Sequence, residues 1–389
     1  MSTNDSTDVA IIGAGITGAS VAFHLARLGV RRIVLLERGA APGEGSTGRA
    51  TGGFRAQYGS AINIRLSLLA RARLLAFRAE TGVDPGFFQA GYLWLASAPD
   101  QLAALRAAHA LQQAEGLHEA RLVDAAEAAR INPSLRMDGV LGGAFCPSDG
   151  FLRPLEILRG YLEAAQRQGA VLRCGTEVTG LTVRGGRVAS VETARGSLVA
   201  GCVVDAAGPW AGEIARFANL ELPVTPLRRQ VACTVPTGVL PASMPMTLFC
   251  GDGFHLRVRD GRVLLLRPTP GDPQDPWDTS VEQDWLDAIV ATARERVPAL
   301  AEVPIDRARC WAGLYEMSPD HHALLGAAPG IDNLYFANGS SGHGVMHAPA
   351  LGMLLAEQIA FGKSRTLDVR ALRPERFVEG EAVAGSGVL

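Results

Sequence analysis

Apolar residues recur along this chain with two different spacings. Residues 8–12 form a short apolar block that runs into glycine, residues 19–28 repeat apolar side chains at helical spacing and close on Gly29, and residues 33–36 are a second apolar block. Short apolar blocks between turn residues predict strands, and the three-to-four-residue recurrence predicts a helix packed on them. Strand, helix and strand within about thirty residues make a β-α-β unit, whose parallel strands need the right-handed crossover that the helix supplies.

The same spacings return downstream. Residues 154–168 predict a helix opened by proline, and residues 171–173, 177–183 and 198–206 predict strands, so the sheet is discontinuous in sequence. Helices are expected at 62–79 and 101–115. A strand-rich stretch contains 254–258 and 263–266, with Asp260-Gly261 between them as a short hairpin turn. The segment GDPQDPWDTSVEQ reads as a loop before a helix over 282–297. The fold class is therefore α/β: a Rossmann-like, discontinuous dinucleotide-binding domain with a second α+β domain built on an antiparallel sheet.

Composition agrees with two domains, since 389 residues exceed one compact core. A net charge of -2 points to neither a nucleic-acid partner nor a membrane surface. No apolar run is long enough to span a bilayer, so no membrane insertion is expected, and the polar start MSTNDST reads as a frayed terminus. The six cysteines are scattered singly without CxxC, the pattern of reduced cytoplasmic thiols. Lys363 is the single lysine among 37 basic residues.

Candidate chemistry begins at the turn after the first strand. Gly13 permits a tight turn, Gly15 lets the backbone approach a pyrophosphate, Gly18 lets the helix pack closely on the sheet, and Ile16 and Thr17 open that helix. Glu37, nineteen residues after Gly18, ends the second strand where a carboxylate can accept from a ribose diol, with Arg38 beside it. This context specifies an adenine dinucleotide, NAD(H) or FAD. The glycine-rich loop GEGSTGRATGGFRAQY, with Ser46, Thr47, Arg49, Ala50, Gly52 and Gly53, can wrap a cofactor with backbone amides.

The glycine triplet with Glu37, the loop 46–58, the strand end VVDAAGPW at 203–210 and the stretch NGSSGHGVMHAPALGMLLAEQIAFG together resemble the FAD-dependent amino-acid oxidoreductases of the D-amino-acid oxidase superfamily. Within it the chain is most similar to the sarcosine oxidase group, especially the β subunits of heteromeric sarcosine oxidase and proline dehydrogenase. The resemblance implies an FAD-binding domain made of residues 1–88, 146–223 and 313–389, and a substrate domain made of 89–145 and 224–312. It places Val178, Ala207, Gly208 and Trp210 at the dinucleotide, and Gly313, Gly339, Gly342, His343, Gly344, Val345 and Met346 about the flavin ring. A helix ending at Phe361 with Gly362 as its stop would aim its positive end at the ring, starting several residues after His343 because of Pro349.

Arg55 matches the arginine that sarcosine oxidases present to the substrate carboxylate, and Arg55 and His343 are the catalytic candidates; His255, Tyr315 and His347 are candidates for lining the pocket. Monomeric relatives attach FAD through a cysteine where this chain has Gly313, so the FAD is expected to be non-covalent. They also carry a lysine where this chain has Met346, which puts reaction with O2 in question. The expected activity is FAD-dependent oxidation of the C–N bond of a secondary or N-methylated amino acid (sarcosine, proline or a relative), by hydride transfer to flavin N5 and imine hydrolysis, with O2 or another acceptor. The alternatives are a 2-hydroxy-acid dehydrogenase acting on C–O and a flavin-binding subunit working with a heteromeric partner.

Overall fold

The computed structural model describes residues 5–269 and 274–383. Residues 1–4 of the polar start, residues 270–273 of the proline- and aspartate-rich loop, and residues 384–389 lie outside them. The first strand opens at Asp5, earlier than the expected frayed start allows, because Asp5, Ser6 and Thr7 pair with Leu198, Val199 and Ala200.

That strand, Asp5–Ile12, sits inside an eight-stranded sheet. It pairs in parallel with Ile33–Leu36 on one side and Gly196–Asp205 on the other; Val171–Arg173 extends one edge, and Ile331–Asn338 followed by Leu324–Ala328 extends the other. The hairpin of Val178–Arg184 and Arg187–Thr193 adds antiparallel strands against Gly196–Asp205. Side chains alternate across the sheet as the pleat requires. Val9 and Ile11 pack with the helices Ile16–Arg27, Pro154–Arg167 and Gly344–Phe361, whereas Ala10 and Ile12 face the hairpin and the helix Ala211–Arg216. The first and last of the three helices on the Val9 side pack so closely that a Cβ on Gly352 would lie 2.2 Å from Ser20 Oγ.

A second eight-stranded sheet has the order Trp311–Met317, Thr225–Cys233, Arg262–Leu266, His255–Arg259, Met246–Phe249, Tyr92–Ala96, Gly142–Cys146, Arg121–Val123. It is not purely antiparallel: Met246–Phe249 and Tyr92–Ala96 run parallel, since two far-apart segments meet there without a hairpin. Asp260 and Gly261 carry the expected turn with φ of 51° and 71°. One face, with Leu93, Leu95, Leu256 and Leu265, packs on the helix Gln283–Arg296, and the other face looks toward the first sheet. Residue 313 falls inside an edge strand of this sheet; we propose that the last segment of the FAD-binding domain starts after Met317.

Candidate functional site

A cavity of about 670 Å3 lies between the two sheets, lined by the first β-α turn, the loop after the second strand, the face of the second sheet that carries Tyr92, Trp94 and Tyr315, and the start of the last long helix. Its inner end is built by Gly13, whose φ of 99° suits glycine and where a Cβ would lie 2.4 Å from the Ala206 carbonyl. Gly15 faces the cavity and caps the helix Ile16–Arg27 without a side-chain hydrogen bond, so N–H groups at the helix's positive end point into the space. Thr47 Oγ1 accepts from Ile16 N at 3.1 Å and ties the glycine-rich loop to that turn. Glu37 accepts from Ala14 N through Oε2 (3.1 Å) and from Gly39 N through Oε1 (2.8 Å), which fixes its carboxylate on the cavity wall. Beside it the Arg38 guanidinium lies 3.6 Å above the Trp210 ring, and Trp277 stacks on Trp210 at 5.3 Å and 9°.

The other end is floored by the second sheet. Period-two alternation puts Tyr92 and Trp94, Met246 and Leu248, His255 and Leu266, Arg229 and Val231, and Gly313 and Tyr315 on one face, toward the cavity. Arg55 enters from the loop above. Only 7% exposed, it donates Nη1 to the Gln57 carbonyl (3.0 Å) and Nη2 to His343 Nε2 (3.1 Å), and it lies over the rings of Tyr58 (4.1 Å) and Trp94 (5.0 Å). The bond from Arg55 leaves the proton of His343 on Nδ1. Burial and the Arg55 charge hold His343 well below the usual imidazole range, so the ring is neutral. His255 donates Nδ1 to the Gly253 carbonyl (2.8 Å), which leaves Nε2 as an acceptor, and burial pulls its pKa down to about 4.

The last long helix begins at Gly344 with His343 as its N-cap, so its positive end opens on the cavity. Pro349 sits inside the helix rather than at its first turn, and the expected later start is corrected. A proline this close to the N-terminus removes one intrahelical bond, and the burial of Ala348, Ala350 and Leu351, each 0% exposed, supports the helix as it continues through it to Phe361. Below that terminus Glu316 accepts from Ser340 N (3.2 Å), and burial raises its acid to about 7. Asp205, 0% exposed at the end of its strand, accepts from Ala207 N (3.0 Å), and burial raises it likewise to about 7.

Residues 8–358 match the DAO family, described as FAD dependent oxidoreductase. The chain belongs to this family. It is 30% identical to human mitochondrial dimethylglycine dehydrogenase over 96% of this chain and 44% of that protein, and 27% identical to glycine oxidase of Bacillus licheniformis over 95% and 97%. The chain thus spans less than half the length of the dimethylglycine dehydrogenases it matches. A solved structure of L-proline dehydrogenase from P. horikoshii superposes with a TM-score of 0.89 at 28% identity, covering 97% of this chain and all of the other.

This flavoenzyme's cavity fits its cofactor on its own observations: a glycine turn that admits no Cβ, a helix start whose N-cap Gly15 brings no side chain to it and opens on the cavity, and a carboxylate fixed at the end of the second strand. FAD is the cofactor. Of the residues expected at it, Gly13, Gly15, Ile16, Thr17, Glu37, Arg38, Ser46, Thr47, Arg49, Ala50, Gly52, Gly53, Val178, Ala207, Gly208, Trp210, Gly313, Gly342, His343, Gly344, Val345 and Met346 line this one cavity, together with Arg55. Gly18 and Gly339 do not line it. Gly18 serves packing, since its Cβ would lie 2.1 Å from the Gly13 carbonyl, and Gly339 takes a φ of 69° against Leu324 and Ser318.

Arg49, on the cavity wall, donates Nη1 to the Ala312 carbonyl (2.6 Å). His255 and Tyr315 line the cavity, whereas His347 does not; it is buried against Ser67 Oγ (2.9 Å). Sequence reasoning missed Tyr92, Trp94, Arg229 and Trp277. The alternation Tyr-Leu-Trp-Leu at 92–95, two aromatics on one face and two leucines on the other, was the available signal for the first two.

Among the described residues no helix is long and apolar enough to cross a membrane, and no group of His, Cys, Asp and Glu could hold a metal ion.

Proposed function

We propose that the enzyme oxidises the C–N bond of a small secondary or N-methylated amino acid, with the substrate carboxylate on Arg55. The observation that carries this reading is Arg55 itself: a buried guanidinium at the end of the FAD cavity whose hydrogen bonds go to a carbonyl and a neutral imidazole, and which forms no ion pair among the described residues. A guanidinium so placed keeps donors for a carboxylate and can grip it with two parallel bonds. The names of the relatives, dimethylglycine dehydrogenase, glycine oxidase and L-proline dehydrogenase, support amine substrates for this chain.

Bound FAD would supply the two-electron acceptor. The protein's part is to hold the amine uncharged and in line. His255 is neutral, with Nε2 free to accept an amine N–H, while Tyr92, Trp94, Met246 and Leu248 exclude water from one side of the substrate. Among the described residues no cysteine lines the cavity, and the resemblance puts Gly313 at the position where monomeric sarcosine oxidases carry the linking cysteine, which supports non-covalent FAD; acid precipitation should leave the flavin in the supernatant. The singly scattered, unpaired cysteines support a cytoplasmic location.

Anaerobic titration of the yellow protein with sarcosine, L- and D-proline, N-methylated amino acids and 2-hydroxy acids tests the chemistry. Bleaching by amines is expected, and bleaching only by hydroxy acids would replace this reading with C–O oxidation. Readmitted air then separates an oxidase, which recovers its colour quickly, from a dehydrogenase. Arg55→Ala should lower kcat/KM for amino acids by about 100-fold or more with FAD retained, the scale of a lost charge-assisted pair.

A further inference from the structure

The substrate end of the cavity contains a second guanidinium. Arg229 rises from the strand Thr225–Cys233 on the cavity face, one residue after Arg228, which points to the opposite side and is 2% exposed with Asp278 and Glu282 as partners. The Arg229 guanidinium lies 5.7 Å from the centre of the Tyr315 ring, its strand pairing with Tyr315's strand through Leu227 and Tyr315. Arg55 approaches the same pocket from the loop above. The two charges share a common ground: besides burial, both act on His255 and on Tyr315. Among the described residues, the acids lining the cavity stand elsewhere. Glu37, Glu44, Glu177 and Glu213 belong to the dinucleotide half, and Glu316 is engaged at Ser340.

We propose that the pocket selects amines bearing two carboxylates, an N-(carboxyalkyl) amino acid of the iminodiacetate type, with one carboxylate on Arg55 and the second on Arg229. The proposal rests on the C–N oxidation reading and narrows its substrate class. Two guanidiniums in one partly closed, aromatic-walled pocket favour a dianion over a monoanion, because each carboxylate then gains a charge-assisted hydrogen bond away from bulk water. Arg229 donates Nη1 to the Arg228 carbonyl (3.2 Å) and has further contacts, but a guanidinium has five N–H donors in a fixed fork and can keep these while taking a carboxylate. Sarcosine and proline would use Arg55 alone.

Binding can be read without turnover. The FAD-loaded enzyme is titrated with two ethers that cannot be oxidised as amines, diglycolate with two carboxylates and methoxyacetate with one, and the perturbation of the flavin absorbance gives each Kd. Diglycolate should bind about 10- to 100-fold more tightly, the range of one charged hydrogen bond. In Arg229→Met that ratio should fall toward one, in Arg229→Lys it should fall only in part, and in Arg55→Met both ligands should weaken. In parallel, iminodiacetate should bleach the flavin at lower concentration than sarcosine. Equal affinities in the unaltered enzyme, or a preference that survives Arg229→Met, overturn the second-carboxylate assignment while leaving amine oxidation standing. If neither ether perturbs the flavin and no amine bleaches it, the amine-oxidation reading fails together with this one. The wild-type comparison needs no variant to fold.

Discussion

Asp149 sets the aim of Arg55 without touching it. Its carboxylate, 0% exposed, accepts from Ala56 N through Oδ1 (2.7 Å) and from Gln57 Nε2 through Oδ2 (3.2 Å), and Gln57 Nε2 also donates to the Tyr92 carbonyl (2.9 Å). The two residues after Arg55 are thus pinned to the second sheet. Asp149→Asn keeps the volume but turns an acceptor into a donor facing Gln57. Gln57 then has to rotate, and its Oε1 has no partner at present to hold it. Arg55 loses its fixed approach, so KM for an amino acid should rise about 10-fold with kcat changed less, read by steady-state kinetics; equal falls in kcat and kcat/KM would contradict a positioning role. Asp149→Leu should cost about 1–3 kcal/mol in urea unfolding, since two buried donors lose their acceptor. Arg55 was legible because its loop is a local signature. Asp149 was not, because its meaning is a contact more than ninety residues away in the chain.

Elements were legible where their cause is local. The strand Val171–Arg173 and the helix Pro154–Arg167 follow from spacing and a proline start, and the hairpin turn from Asp260-Gly261. The parallel pairing of Met246–Phe249 with Tyr92–Ala96 was not, since partner choice between distant strands is settled by packing and leaves no short-range mark. The loop carrying Trp277 shows the same limit. Composition predicts a loop, but the structure shows Trp277 stacked on Trp210 and the following residues held by Arg228 through Asp278 and Glu282, so that this segment covers the dinucleotide end of the cavity. An aromatic stack of this geometry contributes about 0.5–1.5 kcal/mol. Trp277→Ala should therefore speed FAD release by roughly 2- to 10-fold, measured as the return of free-flavin fluorescence after dilution, with the amine Kd little changed. A release rate equal to wild type would mean that the stack does not cover the cofactor. Gly352→Ala bears on the helix pair instead: its methyl would overlap Ser20, so a loss of about 1–3 kcal/mol is expected in thermal unfolding.

At the scale of the whole molecule, two sets of buried ionisable groups pull stability in opposite directions with pH. Burial lowers His24 to about 3, His255 to about 4 and His347 to about 3, and lowers His322 and His343 as well, from an ordinary 6.5. Folding keeps these rings neutral, so their contribution is present above 6.5 and is lost as pH falls. Burial raises Asp149 from 3.8 to about 6, Asp205 from 3.8 to about 7 and Glu316 from 4.5 to about 7. Folding keeps these acids protonated, so their contribution is present below about 4 and is lost as pH rises through about 7. Near pH 5.5 the unfolded chain gains protons on His24, His255, His343 and His347 and the folded chain retains them on three acids, a difference of about one proton in favour of the unfolded state, to which the lowered His322 adds. The histidines win. Stability of the flavin-free protein should rise from pH 5 toward pH 7 and level off above it, where the residual protons on the unfolded chain's histidines and on the folded chain's Asp205 and Glu316 nearly cancel. Glu316→Gln isolates the opposing set, because it removes one acid that must ionise in place. Its stability relative to wild type should be near zero at pH 4.5 and grow to at most about 3 kcal/mol at pH 8, the size of its shift at about 1.4 kcal/mol per pH unit. Thermal midpoints of the two proteins across that range decide it: diverging curves place a buried, proton-holding Glu316 beneath the flavin-facing helix, and parallel curves would show that its carboxyl is ionised and solvated throughout.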